Sequence, residues 1–240
     1  IKRSCDIYFY EIARRVGIDA IAKTARQFGI ANNISLPVSA ISKGLMPDTL
    51  WKEETLGKRW LTGDTLNAGI GQGYILTTPM QIAVMTARIA TGTSIIPRLI
   101  TTKGGKILSI KKPLPLKLSE PTLSKIRNGM NSAVNDTDGT AYKSRIIKPN
   151  FQFAGKTGTA QVRRITEMER EVGVTKNEDL PWVKRDHALF TGFAPFNNPK
   201  YTVSVIVEHG GGGSTVAAPI ARDIILYALY GKFPSLTAYP

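Results

Sequence analysis

The order of helical and strand-like patterns along the chain limits its fold more than any other feature of the sequence. Helical periodicity dominates a first part of about residues 1–135, and a second part of about residues 145–240 combines strand-like stretches with a terminal helix. The strand-like stretches are residues 151–154, 187–194 and 201–208, and the terminal helix is predicted over residues 217–230. Helices followed by a strand cluster and a last helix predict an α+β fold or a helix–sheet sandwich.

Helix start signals and glycine-rich turns punctuate the first part. Asp19 is predicted to cap a helix. Thr78 and Gln81 form a capping box with Pro79 at the first helical position, so a further helix is predicted to begin there. Residues 63–73 contain four glycines and are predicted to form turns that need backbone freedom.

Composition and charge exclude several classes of protein. The chain has 240 residues, of which 42% are hydrophobic, so it can bury a core without disulfides or metals. Its one cysteine, Cys5, excludes an internal disulfide and a cysteine-based zinc finger. The 32 basic and 18 acidic residues give a net charge of +14, which would suit nucleic acid, an anionic membrane surface or an acidic polymer. Because the basic residues are scattered, with no run of five, we expect a solvated basic surface and no nucleic-acid partner.

The sharpest local motif is Gly-Lys-Thr-Gly-Thr at residues 155–159. A phosphate-binding loop would need a glycine where Asn150 stands, and the residues between are strand-like, so we reject that interpretation. A Lys-Thr-Gly strand at the edge of an acyl-transfer site fits better. There Lys156 supplies positive charge, the threonines supply hydroxyls, and Gly158 lets a substrate backbone approach. A strand end followed by a turn stays open as a purely structural explanation.

Ser4 and Asp6 precede an amphipathic helical pattern, and two interpretations of them stay open. In the structural one, Ser4 is the helix N-cap and Asp6 interacts with the helix dipole in the first turn. In the functional one, the Ser4 hydroxyl relays a proton and Asp6 holds it in place. From the residues alone we prefer the cap.

Other catalytic patterns are weaker. His187 and His209 are the only histidines, and no Gly-x-Ser-x-Gly stretch accompanies them, so we interpret both as packed or surface residues. Two histidines and one cysteine give no set of metal ligands. Ser109 and Lys112 have Ser-x-x-Lys spacing but lie in a strand-like run before Pro113, which argues against a nucleophile on a helix.

Taken in order, the motifs resemble those of the transpeptidase domain of class B penicillin-binding proteins, above all the elongation-type enzymes. The matching stretches are residues 4–10, 63–65, 69–73, 78–81, 139–141, 155–161, 190–195 and 213–219. They run along the whole chain in family order. The resemblance implies an α+β fold of the penicillin-binding and serine β-lactamase type, with an antiparallel sheet between helices and a helical subdomain.

The resemblance also implies a reaction and a set of site residues. In the family, a serine attacks the penultimate D-Ala carbonyl of a peptidoglycan stem peptide, an amine of a second stem resolves the acyl-enzyme, and β-lactams acylate the same serine. The implied catalytic residues are Ser4, Asp6 and Lys156, and the implied substrate-binding residues are Thr157, Gly158 and Thr159.

Each implied residue has a role by resemblance. Ser4 would shuttle a proton, and Asp6 stands where the family usually has asparagine. Lys156, Thr157 and Thr159 would engage the substrate carboxylate, and the Thr159 N–H would form one half of the oxyanion hole. Some related enzymes hold a zinc ion near the Ser4 motif through a cysteine. We expect Cys5 instead to be a half-buried thiol at a helix start, with no metal or other cofactor.

The family's Ser-x-x-Lys motif on a helix, which carries the nucleophile, has no counterpart in these 240 residues. We therefore expect the chain to be the C-terminal part of a transpeptidase domain and to be inactive by itself. The implied partners are stem peptides, β-lactams and the cell-wall elongation machinery, at the periplasmic face of the inner membrane. A class D-like β-lactamase or β-lactam sensor and a catalytically inactive cell-wall scaffold are the alternatives.

Overall fold

The computed structural model describes residues 1–34, 36–109, 112–163 and 165–231. It divides into two compact units. The helical unit is Cys5–Leu123, and the sheet unit consists of Ile1–Ser4 together with the chain from Ser124 onward. The Ser-x-x-Lys spacing noted above includes residues 110 and 111 and so lies partly outside the described residues.

The helical unit contains five helices and a short hairpin among its described residues. They are α1 (Asp6–Val16), α2 (Ile18–Gln27), α3 (Thr49–Leu56), α4 (Thr62–Gly69), α5 (Pro79–Thr91), β1 (Thr102–Lys103) and β2 (Lys106–Ile107). Its core is built from small and aliphatic side chains, among them Ile18, Ala22 and Met46. Helix α5 begins with the predicted capping box, because the Gln81 N–H donates to Thr78 Oγ1 at 3.2 Å and the Thr78 N–H donates to Gln81 Oε1 at 3.1 Å.

Two predictions for this unit are wrong. Asp19 does not cap α2; its carboxylate accepts hydrogen bonds from the backbone N–H and the hydroxyl of Thr49, each at 3.0 Å, and α2 follows Gly17 directly. The glycine-rich stretch 63–73 is helical at its beginning, as α4, and turns only after Gly69. Asp64 accounts for the helix start, since its carboxylate accepts the Leu61 N–H at 2.8 Å.

The sheet unit is built on three antiparallel strands in the order β3-β4-β5. Its elements are α6 (Glu120–Asn135, which begins just before the unit boundary), β3 (Ala154–Ala160), α7 (Glu167–Val172), β4 (His187–Ala194), β5 (Tyr201–Val207) and α8 (Ala218–Tyr230). The strands align Lys156 with Thr191 and Thr159 with Ala188. The mixture of helices and antiparallel sheet confirms the predicted α+β class.

Core packing in the sheet unit explains why residues 151–153 have a strand-like pattern although β3 begins only at Ala154. Phe153, Phe190 and Ile225 are almost fully buried in one cluster, which also contains residues of α8. The prediction of a strand at residues 151–154 is largely wrong, because β3 begins only at Ala154. The apolar pattern of residues 151–153 reflects core packing of Phe153, whereas the motif that follows is held extended by its hydrogen bonds to β4.

Close backbone packing fixes the position of β3. A Cβ on Gly213 would lie 2.3 Å from the Leu189 carbonyl oxygen and 2.4 Å from that of Gly158. Only glycine therefore fits at the start of the short π-helix, Gly213–Ala217, where it passes β3 and β4 before α8. Among the described residues no helix is long and apolar enough to span a bilayer.

Candidate active site

The side chain of Lys156 joins the two motifs singled out in the sequence. From the third position of β3, its ammonium donates hydrogen bonds to Ser4 Oγ and, at 2.6 Å, to the Thr157 carbonyl oxygen. The Thr157 hydroxyl lies 3.5 Å from the same Nζ atom. Residues separated by 152 positions in the chain thus meet at one cation.

Ser4 is not the helix N-cap that the sequence favoured. Cys5 occupies the N-cap position of α1 without a side-chain cap bond, and the Ser4 hydroxyl accepts from Lys156 instead. The Ser4 backbone has a φ of +49°, in the left-handed region that residues other than glycine rarely adopt. The expectation for Cys5 is also wrong, since the thiol is exposed rather than half-buried.

Asp6 is the first residue of α1 and belongs to the helical unit, whereas Ser4 and Lys156 belong to the sheet unit. Its exposed carboxylate lies in the first turn, which suits the helix dipole. The cluster described here consists of Ser4, Lys156 and Thr157, and the catalytic role of Asp6 stays a prediction.

The other residues of the Lys-Thr-Gly motif follow along β3. Because side chains alternate along a strand, Thr157 and Thr159 face one side of the sheet. Thr159 is exposed, and Gly158 is half-buried opposite Leu189, whose Cβ would lie 3.3 Å from an added Cβ. A side chain at Gly158 would point to the opposite face of the sheet, where it would crowd Leu189.

Thr140 is a neighbour of the cluster for which no role was predicted from the sequence. The Thr157 hydroxyl donates to Thr140 Oγ1 at 3.1 Å. Thr140 lies in the turn after α6, within the Gly-Thr-Ala stretch at residues 139–141. That stretch was a matching motif, but its contact with β3 depends on the tertiary structure.

Charged groups in the same turn face the segment before Ser4. The hydrogen bonds that Lys2 and Arg3 donate to Asp138 lower the pKa of that carboxyl to about 2. Hydrogen bonds from Lys2 and from the Ser132 side chain lower the pKa of Asp136, and the two carboxylates in turn raise the pKa of Lys2. All three groups are therefore ionised at neutral pH.

The two histidines, which the sequence interpretation treated as packed or surface residues, pack against each other. The His209 N–H donates to His187 Nδ1 at 2.9 Å, and the His209 ring stands 4.5 Å from the Trp182 ring and 4.7 Å from the His187 ring, measured between centroids. Within the described part of the chain, no three His, Cys, Asp or Glu side chains are grouped so that they could hold a metal ion.

Comparisons with known proteins match most or all of the chain. The family model for the penicillin binding protein transpeptidase domain matches residues 1–226. The peptidoglycan D,D-transpeptidase MrdA of Haemophilus influenzae is 34% identical over 246 residues, covering 100% of this chain and 37% of that protein. MrdA of Escherichia coli K12 is 33% identical over 242 residues, covering 96% of this chain and 36% of that protein.

Solved structures give the same result. PBP2 of Pseudomonas aeruginosa, in complex with WCK 5153, has a TM-score of 0.78 and 36% identity, covering 99% of this chain and 50% of that one. PBP2 of Helicobacter pylori, in complex with MreC, has a TM-score of 0.79 and 33% identity, covering 96% of this chain and 39% of that one.

This chain belongs to the penicillin-binding protein transpeptidase domain family. Its fold is that of PBP2 transpeptidase structures, which confirms the fold type that the resemblance implied. The chain spans little more than a third of the length of the MrdA relatives.

Proposed function

We propose that this chain forms part of the active site of a peptidoglycan D,D-transpeptidase that acts in cell-wall elongation. The observation that carries the proposal is the Lys156 ammonium, which bonds the Ser4 hydroxyl on one side and lies beside Thr157 on the other. The nucleophilic serine and its lysine would come from a Ser-x-x-Lys helix of the whole protein, outside these 240 residues.

In this proposal Ser4 relays the proton of acyl transfer. A serine hydroxyl has one donor and two acceptor sites, and Lys156 uses one acceptor site, so the Ser4 O–H remains available for a substrate atom. The adjacent positive charge stabilises an electron-rich oxygen at Ser4. When the D-Ala amine leaves the tetrahedral intermediate, Ser4 can donate a proton to it, and it can later accept one from the incoming amine.

Lys156 and the motif threonines would hold the substrate. A stem peptide ends in a carboxylate, which an ammonium and two hydroxyls can bind together. Thr157 and Thr159 share the face on which such a carboxylate would lie. Because β3 is an edge strand of the described sheet, part of its backbone N–H groups can pair with a substrate chain, and the Thr159 N–H would form one half of the oxyanion hole.

Partners and location follow at the level of the family. Stem peptides would be the substrates and β-lactams the inhibitors, since both present a carboxylate beside an acylating carbonyl. The whole protein would act at the periplasmic face of the inner membrane with other elongation proteins, as the complex between H. pylori PBP2 and MreC suggests for that relative. The net charge of +14 would favour the anionic substrate.

Acylation of the whole protein by a fluorescent penicillin, with peptide mapping of the adduct, tests the function. We expect one labelled serine on a Ser-x-x-Lys motif, and we expect Lys156→Met to lower the acylation rate by roughly 100-fold or more. Lys200→Met, which removes an exposed lysine of the same unit, serves as control and should be acylated like the parent. A parent protein that forms no adduct would overturn the proposal, and rapid release of the penicillin as hydrolysed product would indicate a β-lactamase instead.

A further inference from the structure

The turn between α6 and β3 contacts residues next to both members of the Ser4–Lys156 pair, namely Lys2 and Arg3 before Ser4 and Thr157 after Lys156. We infer that Asp138, assisted by Asp136, is a positioning residue that holds Ser4 against Lys156. The inference rests on the proposed function, since it assigns to the turn the task of keeping the Ser4 hydroxyl at hydrogen-bond distance from the Lys156 ammonium. We call residues 136–140 the bracing turn.

The bracing turn holds the segment before Ser4 through ion pairs and hydrogen bonds. The Asp138 carboxylate accepts hydrogen bonds from Arg3, with Nε at 2.7 Å and Nη2 closer still, and it forms an ion pair with Lys2. Asp136 lies 2.9 Å from the same Lys2 Nζ. The backbone is held too, because the Thr140 N–H donates to the Lys2 carbonyl oxygen at 3.3 Å.

Ser4 needs this restraint because its backbone conformation is unfavourable. A left-handed conformation costs a residue with a Cβ about 1–2 kcal/mol and persists only where the surroundings enforce it. Within the segment, the Ser4 N–H has a long hydrogen bond of 3.4 Å to the Ile1 carbonyl oxygen. The bonds of Lys2 and Arg3 to the bracing turn restrain the two residues just before Ser4.

The bracing turn also holds β3 through a hydrogen bond to Thr140. Thr140 accepts a hydrogen bond from the Thr157 hydroxyl at 3.1 Å, next to Lys156. The turn itself cannot shift easily, since the Ala141 N–H donates to the Ala133 carbonyl oxygen at 2.8 Å. A Cβ on Gly139 would lie 2.4 Å from the carbonyl oxygen of Ser132, so the turn packs directly on the end of α6. One rigid turn thus sets the separation of Ser4 and Lys156.

The charges of the bracing turn are permanent over the working pH range. Because Lys2 and Arg3 lower the pKa of Asp138 to about 2, its carboxylate stays ionised in mildly acidic and neutral solution. The turn therefore acts as a fixed support and not as a pH switch. Since the ion pairs are partly exposed to solvent, salt should weaken them.

The test measures acylation of the whole protein by a fluorescent penicillin over a range of concentrations, which separates binding from the limiting rate. We expect Asp138→Asn to lower the limiting rate by roughly 10- to 100-fold, because a misplaced proton relay slows the step more than it weakens binding. Asp138→Glu, which keeps the charge, should recover most of the rate. Asp223→Asn is the matched control, since it removes an exposed aspartate paired with Arg222 on α8.

The salt dependence of the limiting acylation rate is a second readout, which a purely structural role of Asp138 would not change. Raising salt from about 50 to about 500 mM should lower the limiting rate of the parent and of Asp223→Asn more than that of Asp138→Asn. Arg3→Gln, which removes a partner of the same carboxylate, provides a second variant and should lower the rate in the same direction. If both variants are acylated at the parental limiting rate, the inference is wrong while the proposed function stands; if the parent is not acylated, the proposed function fails first.

Discussion

At the scale of single residues, Ser4 combines an unfavourable backbone with a side chain that is already engaged. Its left-handed φ is paired with a hydroxyl that accepts a hydrogen bond from Lys156. A residue held in a strained conformation beside a cation is typical of sites that use the strain to place a reactive group. The same residue would be an ordinary helix cap if only its neighbours in sequence acted on it.

Replacing Ser4 separates the backbone effect from the chemistry. Ser4→Gly and Ser4→Ala both remove the hydroxyl, so each should lower the acylation rate of the whole protein by roughly 100-fold or more. Because glycine tolerates a positive φ, Ser4→Gly should be more stable to unfolding than Ser4→Ala by about 1 kcal/mol. Chemical denaturation and acylation kinetics measure both effects, and equal stability of the two variants would contradict the strain argument.

Two glycines should respond oppositely to the same substitution. Gly213→Ala should destabilise the protein by about 1–3 kcal/mol and slow acylation, because the new Cβ would meet the carbonyl oxygens of Leu189 and Gly158 on the strands of the site. Gly63→Ala, an exposed position in α4 with open space around it, should instead stabilise by up to about 1 kcal/mol. Thermal unfolding of both variants checks the sign, and loss of stability in Gly63→Ala would contradict it.

At the scale of elements, a buried ion pair joins α3 to α4. Lys52 is 3% exposed, donates to the Asp64 carboxylate, and has the rings of Trp60 and Tyr74 within 5.6 and 5.4 Å of its ammonium. Burial acts to raise the pKa of Asp64, but the hydrogen bonds from Lys52 and from the Leu61 N–H outweigh it, and the pKa is lowered. The start of the glycine-rich stretch is therefore held in place by the Lys52 ammonium, a contact that the sequence pattern did not reveal.

Loss of the ion pair between Lys52 and Asp64 should destabilise the helical unit. Asp64→Asn leaves the buried Lys52 ammonium without its counter-ion and should lower the free energy of unfolding by about 3 kcal/mol. Since the pKa of Asp64 is lowered in the folded state, its contribution is complete above about pH 5 and is lost as the pH falls through the lowered value. Denaturation at several pH values measures this dependence.

The control for Asp64→Asn is Arg15→Gln, which removes an exposed partner of Glu11 on α1 and should leave the unfolding midpoint in place. Equal effects of the two substitutions would show that the α3–α4 pair is no stronger than a surface ion pair. A stability difference that persists unchanged down to about pH 2 would rule out the carboxylate as its source.

At the scale of the whole molecule, the charge is large but dispersed. The net charge of +14 divides into +7 for residues 5–123 and +7 for the remainder, from 15 basic and 8 acidic residues in the first set and 17 and 10 in the second. No run of five basic residues concentrates it. A dispersed positive charge raises the local concentration of small anionic ligands, but it does not form a continuous basic surface for a polyanion such as nucleic acid.

Nucleic-acid binding tests this distinction. We expect the chain to bind duplex DNA more weakly than about 1 μM at roughly 150 mM salt, because scattered lysines neutralise few adjacent phosphates. Fluorescence anisotropy with a labelled duplex measures it, with a protein of known DNA affinity as positive control. Tight binding that falls steeply with added salt would reverse the interpretation of the charge.

The sequence by itself determined the features that depend on neighbouring residues. The capping box of Thr78 and Gln81 forms as predicted, because its donors and acceptors lie within three positions of each other. Strands β4 and β5 also lie where their alternation indicated, to within one residue. The family could be identified because its motifs are short and occur in a fixed order along the chain.

Only the tertiary structure decided which partner a polar side chain chooses. Asp19 and Ser4 both have sequences suited to capping, yet Thr49 and Lys156 compete for them from 30 and 152 positions away. The pairing of Asp138 with Arg3 across 135 positions is likewise invisible in the sequence. Local propensities differ by about 1 kcal/mol or less, so a hydrogen bond from a distant charged group is enough to override them.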